Sequence, residues 1–185
     1  MRPLLFLFLS SLFLTACNPQ TKELWRWNKG KFELFTPTQA MLQKSVVLAY
    51  DPECPVCLLY NTDISYLYQT YENVNWYMIA PMGADTALLM DKFAVEYQSS
   101  PRFTLLYDPN NHFLKKTGFH TTPQVMVFGP NGSRIYDGKI DNRVKGLGIK
   151  SANADSFFLG EALRAMYHNR LPSIQKTTPI GCIIQ

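Results

Sequence analysis

The spacing of apolar positions along the chain predicts an alternation of strands and helices. Lys31 to Thr36 alternates polar and apolar, with Phe32 and Leu34 on one side, the period of a half-buried strand. Ser45 to Tyr50 (SVVLAY) is a continuous β-branched and aromatic run instead, which fits a strand covered on both faces. From Pro55 through Tyr71 the apolar residues Val56, Leu59, Tyr60, Ile64, Leu67, Tyr68 and Tyr71 recur at helical spacing and predict one helix. Val74 to Ala80 reads as a strand, Ala84 to Tyr97 as a helix with Leu88, Leu89, Phe93 and Tyr97 on one stripe, and Phe103 to Tyr107 as a short strand. Gln124 to Phe128 and Arg134 to Asp137 flank Gly129-Pro130-Asn131-Gly132, a hairpin signal. The last helix is expected from about Asp155, as N-cap, to His168, burying Phe158, Leu159, Ala162, Leu163, Ala165 and Met166. Residues 18–30 read as a linker, and 169–185 as an exposed tail in which Pro172 and Pro179 prevent helix. Strand–helix–strand units closed by a hairpin and a helix predict an α/β domain with a mixed central sheet flanked by helices.

Composition narrows the classes. With 46% hydrophobic and 17% charged residues, 185 residues suffice for one domain with a sizeable core, and disorder is excluded. The net charge of +4 comes from scattered residues without Lys/Arg blocks, so no nucleic-acid partner is expected. Asp85, Asp91 and Glu96 read as solvated helix-face charges, and His112 and His168 as exposed loop and helix-end residues. Tyr66, Tyr68, Tyr71, Trp76 and Tyr77 read as core and interface aromatics.

The beginning of the sequence reads as an address. Arg2 precedes an apolar run, Leu4 to Leu14, too short to span a bilayer and suited to a secretory h-region. The run meets Leu14-Thr15-Ala16-Cys17, which resembles the bacterial lipobox at every position. That resemblance implies cleavage before Cys17 and diacylation of its thiol, a lipid anchor in the bacterial cell envelope and a chain facing the periplasm. Residues 1–16 are then the signal peptide, 17–30 the lipidated linker, 31–170 the domain and 171–185 a tail carrying Cys182.

Cys54 and Cys57 carry the candidate chemistry. They sit in Asp51-Pro52-Glu53-Cys54-Pro55-Val56-Cys57, directly after a central strand, with Pro55 suited to the first helical position. Thiolate at a helix start is favoured by unpaired N–H groups, so Cys54 is expected to be the attacking sulfur and Cys57, one turn on, the resolving one. Glu53 opposes this by its charge. Structural zinc is disfavoured, since neither a second Cys pair nor a His pair at metal spacing follows. A second element, His120-Thr121-Thr122-Pro123-Gln124-Val125, puts a proline at the start of a strand, a candidate cis peptide.

Taken together, these elements resemble the thioredoxin superfamily, specifically its redoxin (AhpC/TSA-like) branch. DPECPVC, TTPQVMVFGPNG, RIYDGKIDNR and TTPIGCIIQ each resemble segments of bacterial redoxin-domain proteins, in that order, over roughly residues 30–185. The resemblance implies a thioredoxin-like fold and a thiol–disulfide oxidoreductase without a cofactor, exchanging with protein thiols and disulfides and a recycling partner. By it Cys54 is the nucleophile, Cys57 the resolving thiol, and Thr122 and Pro123, as the cis-proline loop, bind the substrate backbone. Peroxidase activity is not expected, because Asp51 stands where peroxidases of similar fold place Thr or Ser. An alternative follows from similarity to copper chaperones of the Sco type, which would make Cys54, Cys57 and His120 copper ligands. Cys182, in an ending similar to one that recurs in the redoxin branch, is expected as a third redox thiol or a metal ligand; the other reading packs it as an apolar end strand.

Overall fold

The computed structural model describes residues 24–91, 100–146 and 148–185. The signal peptide, Cys17, Glu96 and the stripe positions Phe93 and Tyr97 lie outside the described residues.

Seven strands form one sheet: β1 (Leu24–Asn28), β2 (Lys31–Phe35), β3 (Ser45–Ala49), β4 (Asn75–Ala80), β5 (Phe103–Tyr107), β7 (Gln124–Phe128) and β8 (Arg134–Gly138), in spatial order β2-β1-β5-β4-β3-β7-β8. The two-residue strand β6 (Thr121–Thr122) lies outside this sheet and immediately precedes β7. β3, β4 and β5 are parallel, whereas β7 runs antiparallel to β3 and β8 antiparallel to β7. The crossover from β3 to β4 carries α1 (Pro55–Leu58) and α2 (Asn61–Thr70), and α5 (Phe158–Tyr167) follows the β7–β8 hairpin. Between them lie α3 (Thr86–Leu89) and α4 (His112–Thr117). The block β4-β3-β7-β8, with these connections, is a thioredoxin-like α/β fold around a mixed sheet.

The continuous apolar run of β3 is explained by cover on both sides. Val46, Leu48 and Tyr50 join a cluster with Ile64, Tyr68, Leu159 and Leu163 from α2 and α5. Val47 and Ala49 enter a second cluster with Leu24, Met41, Leu114 and Phe119. Alternate residues of a strand point to opposite faces, so both sets must be apolar.

Several expected boundaries move. Leu24–Asn28 is a strand, not linker: it forms a hairpin with Lys31–Phe35 and pairs with β5, placing Trp25 opposite Tyr107. The helix expected over Pro55–Tyr71 is divided at Leu59–Tyr60. Tyr60 donates its hydroxyl to Asp141 Oδ1 at 2.8 Å, and the Arg143 guanidinium lies 5.0 Å from the centre of its ring, so tertiary anchoring fixes a residue at which the apolar period continues unbroken. Asp85 is an N-cap, accepting from the Ala87 and Leu88 amides, whereas Asp155 caps nothing and the last helix begins at Phe158. His112 opens α4, which the sequence did not suggest; Asn111 precedes it in the left-handed region at φ +52°. His168 is the exposed end of α5.

The closing segment departs furthest from expectation. Residues 169–185 are stitched to the domain at two places rather than exposed as a tail. Around Thr177 the chain runs parallel to β8, with Asp137 N donating to Gln175 O and Thr177 N to Asp137 O, each at 3.0 Å. Further on, β11 (Cys182–Ile183) pairs antiparallel with β6, Cys182 opposite Thr122 and Ile183 opposite Thr121. Two short strands between these elements, β9 (Val144–Gly146) and β10 (Ile149–Lys150), form a separate hairpin.

Candidate active site

The site is built where β3 ends. Tyr50 continues the strand line by donating its amide to Ile79 O, and the chain turns through Asp51, whose Oδ1 accepts the Glu53 amide at 2.9 Å. This turn sets Cys54 at the N-cap of α1 with Pro55 just inside, as the sequence predicted. Cys54 is 2% exposed and Cys57 fully buried.

The cysteine bonded to Cys54 here is Cys182, the cysteine expected as a third redox thiol or metal ligand, and not Cys57. Cys54 is joined to Cys182 by a disulfide that spans 128 residues of sequence, with a Cα–Cα distance of 6.2 Å, and Cys57 is a free thiol. Proximity in sequence favours the 54–57 pair. The strand pairing β11·β6 brings Cys182 to the same sulfur.

Cys57 is not poised as an exposed thiolate. Burial pushes its thiol up to about 12; the Asp51 N–H, 3.5 Å from the sulfur, and the Thr122 hydroxyl pull it down, and the Asp51 charge adds to the rise. Burial likewise raises the Tyr50 hydroxyl, which donates to Asn61 Oδ1 at 2.6 Å.

The Thr-Pro loop faces the cysteines. The Thr122–Pro123 peptide is cis, both residues are buried, and Cys54 Sγ lies 3.2 Å from the Thr122 carbonyl oxygen. The structure therefore brings together Cys54, Cys57, Thr122, Pro123 and Cys182. His120 is exposed; its amide donates to Gln124 Oε1 and its carbonyl accepts from Ile184 N, so its backbone, two residues ahead of Thr122, is used to hold the closing segment. Among the described residues, with Cys54 bonded to Cys182, no three His, Cys, Asp or Glu side chains are grouped as metal ligands would be.

Three features were given no role by sequence reasoning. One is Gly181, whose α-carbon is pressed against the Thr122 backbone; its glycine was the available signal. Another is Asn111, which accepts from Met82 N at 2.7 Å and donates to Gln185 O at 2.6 Å, with the Pro109-Asn110-Asn111 turn as its signal. The last is the buried Asp141, which receives Tyr60 and Arg143; Arg143 also reaches Asp63 at 3.0 Å and so ties α2 to the chain beyond β8.

The residues assembled here are a strand-end cysteine pair, a Thr-Pro loop facing it and a third cysteine bonded to the first, on a thioredoxin-like fold. No protein-family model and no curated protein matches the chain. Among solved structures, it is similar to an uncharacterised conserved protein from Geobacillus kaustophilus, with TM-score 0.67 and 23% identity over 88% of each chain. It is also similar to a hypothetical protein from Sinorhizobium meliloti, with TM-score 0.65 and 16% identity over 88% of this chain and 90% of that one. A secreted Mycobacterium tuberculosis disulfide oxidoreductase homologous to E. coli DsbE aligns over 51% of this chain and 69% of its own, with TM-score 0.44 and 22% identity.

Proposed function

We propose that the protein is a membrane-tethered, extracytoplasmic thiol–disulfide oxidoreductase of the redoxin branch, anchored through a lipid on Cys17, in which Cys54 is the exchanging sulfur. The observation that carries this reading is the bond from Cys54 to Cys182 beside the Thr122 carbonyl, with an unbonded Cys57 three positions along the chain. One sulfur with two alternative cysteine partners has the parts of an exchange reaction.

In the disulfide state, a client thiolate attacks Cys54 Sγ, the Cys54–Cys182 bond breaks and Cys182 leaves as a thiolate that takes a proton. A second client thiol, deprotonated, then attacks the client sulfur of the mixed disulfide. The client dithiol becomes a disulfide and Cys54 and Cys182 become thiols, two electrons having passed to the protein. In the opposite direction Cys54 attacks a client disulfide, and Cys57 resolves the mixed disulfide by forming a bond to Cys54 and releasing the client thiol. Asp51, half-buried at the site, disfavours a developing hydroxide there and therefore peroxide chemistry.

Disulfide exchange in graded glutathione buffers tests the reading. The Cys54→Ser chain is expected to lose insulin-disulfide reduction and dithiol-peptide oxidation, and the Cys57→Ser/Cys182→Ser chain, which keeps no resolving thiol, to accumulate mixed disulfides. The reading is overturned if the unmodified protein neither reduces nor oxidises a disulfide substrate across the buffer range.

A further inference from the structure

The closing segment has the form of a bound peptide. It lies extended beside β6, pairs Cys182 with Thr122 and Ile183 with Thr121, and donates Ile184 N to His120 O at 2.9 Å. It is at the same time covalently joined to Cys54. Addition of a strand to a free edge supplies main-chain hydrogen bonds whatever the sequence, and leaves specificity to alternate side chains.

We propose that residues 180–184 occupy the client cleft as an internal stand-in, and that the client is an extended peptide with an apolar-Gly-Cys-any-apolar sequence. This rests on the oxidoreductase reading above and names the substrate class of that site. Each position of the motif follows from what its residue meets. A Cβ built on Gly181 would stand 2.0 Å from the Thr122 carbonyl oxygen and 2.7 Å from its carbon, backbone atoms that cannot move aside. Gly181 is not among the residues with positive φ, so what the glycine provides is space rather than conformation. Ile180 packs on the core cluster beneath α2 and α5, and Ile184 on the cluster at the other face. Ile183 between them is 79% exposed and touches little that could select a side chain.

The same segment excludes clients while it is in place, since Cys54 is 2% exposed in the disulfide state. Attachment around Thr177 is separate from attachment at β6, so breaking the Cys54–Cys182 bond leaves the part beyond Thr177 held only by hydrogen bonds and apolar packing, while the chain stays held at β8. A tethered competitor at high effective concentration slows a free peptide without abolishing its access.

Presenting test peptides as mixed disulfides with glutathione decides the matter. In full-length, detergent-extracted protein carrying Cys57→Ser and Cys182→Ser, Cys54 attacks the peptide sulfur, a peptide–Cys54 disulfide forms and glutathione leaves; mass spectrometry of the Cys54 fragment gives the rate. Ile-Gly-Cys-Ile-Ile is expected to react at least tenfold faster than Ile-Ala-Cys-Ile-Ile and than Asp-Gly-Cys-Ile-Asp. Equal rates for the Gly and Ala peptides, with normal exchange against glutathione disulfide, overturn the inference and leave the oxidoreductase reading standing. No exchange with glutathione disulfide overturns both. Because the selectivity is varied in the peptide, the result does not depend on a refolded Gly181 variant.

Discussion

The resolving step should be limited by the protonation of Cys57, and the structure gives its size. An ordinary thiol titrates near 9, whereas burial carries Cys57 to about 12. At pH 8 roughly one ordinary thiol in ten is ionised, against about one in ten thousand for Cys57, a thousandfold deficit in the reactive form. Alkylation of Cys57 by iodoacetamide, followed by mass spectrometry of its fragment, reads that deficit when the native chain is compared with the chain in guanidinium. Steric cover alone would also slow the reaction, so the pH profile is the deciding measurement. Between pH 7 and 10 the native rate is expected to rise about tenfold per pH unit without levelling, while the unfolded control bends near 9. Asp51→Asn removes a charge that raises the thiol and is expected to increase the native rate severalfold. The reasoning is refuted if the native profile bends at the same pH as the unfolded one, or if the two rates at pH 8 lie within tenfold. The linkage has a definite sign: the folded thiol holds its proton more tightly than the unfolded one, so this contribution to stability is complete below pH 9 and is lost as pH rises toward 12.

Two further perturbations test how the closing segment and the site are held. Gly138→Ala places a Cβ 2.1 Å from Thr177 Oγ1 and 2.5 Å from its carbonyl, at φ +148°, and should cost more than about 2 kcal/mol in a denaturant titration; a loss under about 0.5 would refute the close packing of residues 175–177 on β8. Arg143→Ala leaves the 2%-exposed Asp141 carboxylate without its cation and should cost about 3 to 5 kcal/mol, whereas the double variant Arg143→Ala/Asp141→Asn should recover part of it; a single variant as stable as the parent would show that the pair contributes nothing.

Local chemistry along the chain already determined much of this protein. The doubly apolar run of β3, the Gly-Pro-Asn-Gly hairpin and the proline after Cys54 are constraints that act within a few residues, and all of them stand where the sequence put them. The site's members were legible for the same reason: Cys54, Cys57, Thr122 and Pro123 carry their chemistry in their residue types and immediate neighbours. Which cysteine bonds to Cys54 was not legible, because the choice between a partner three residues away and one 128 residues away is made by the β11·β6 pairing. Pairing also turned Leu24–Asn28 from linker into strand: alone the segment has no edge to bond, and only β2 and β5 provide one. The break falls at Tyr60, whose hydroxyl is held by Asp141, a residue far along the chain. Backbone hydrogen bonds to a distant edge and buried polar contacts leave little trace in local periodicity, and it is through them that tertiary structure decided the state of the site.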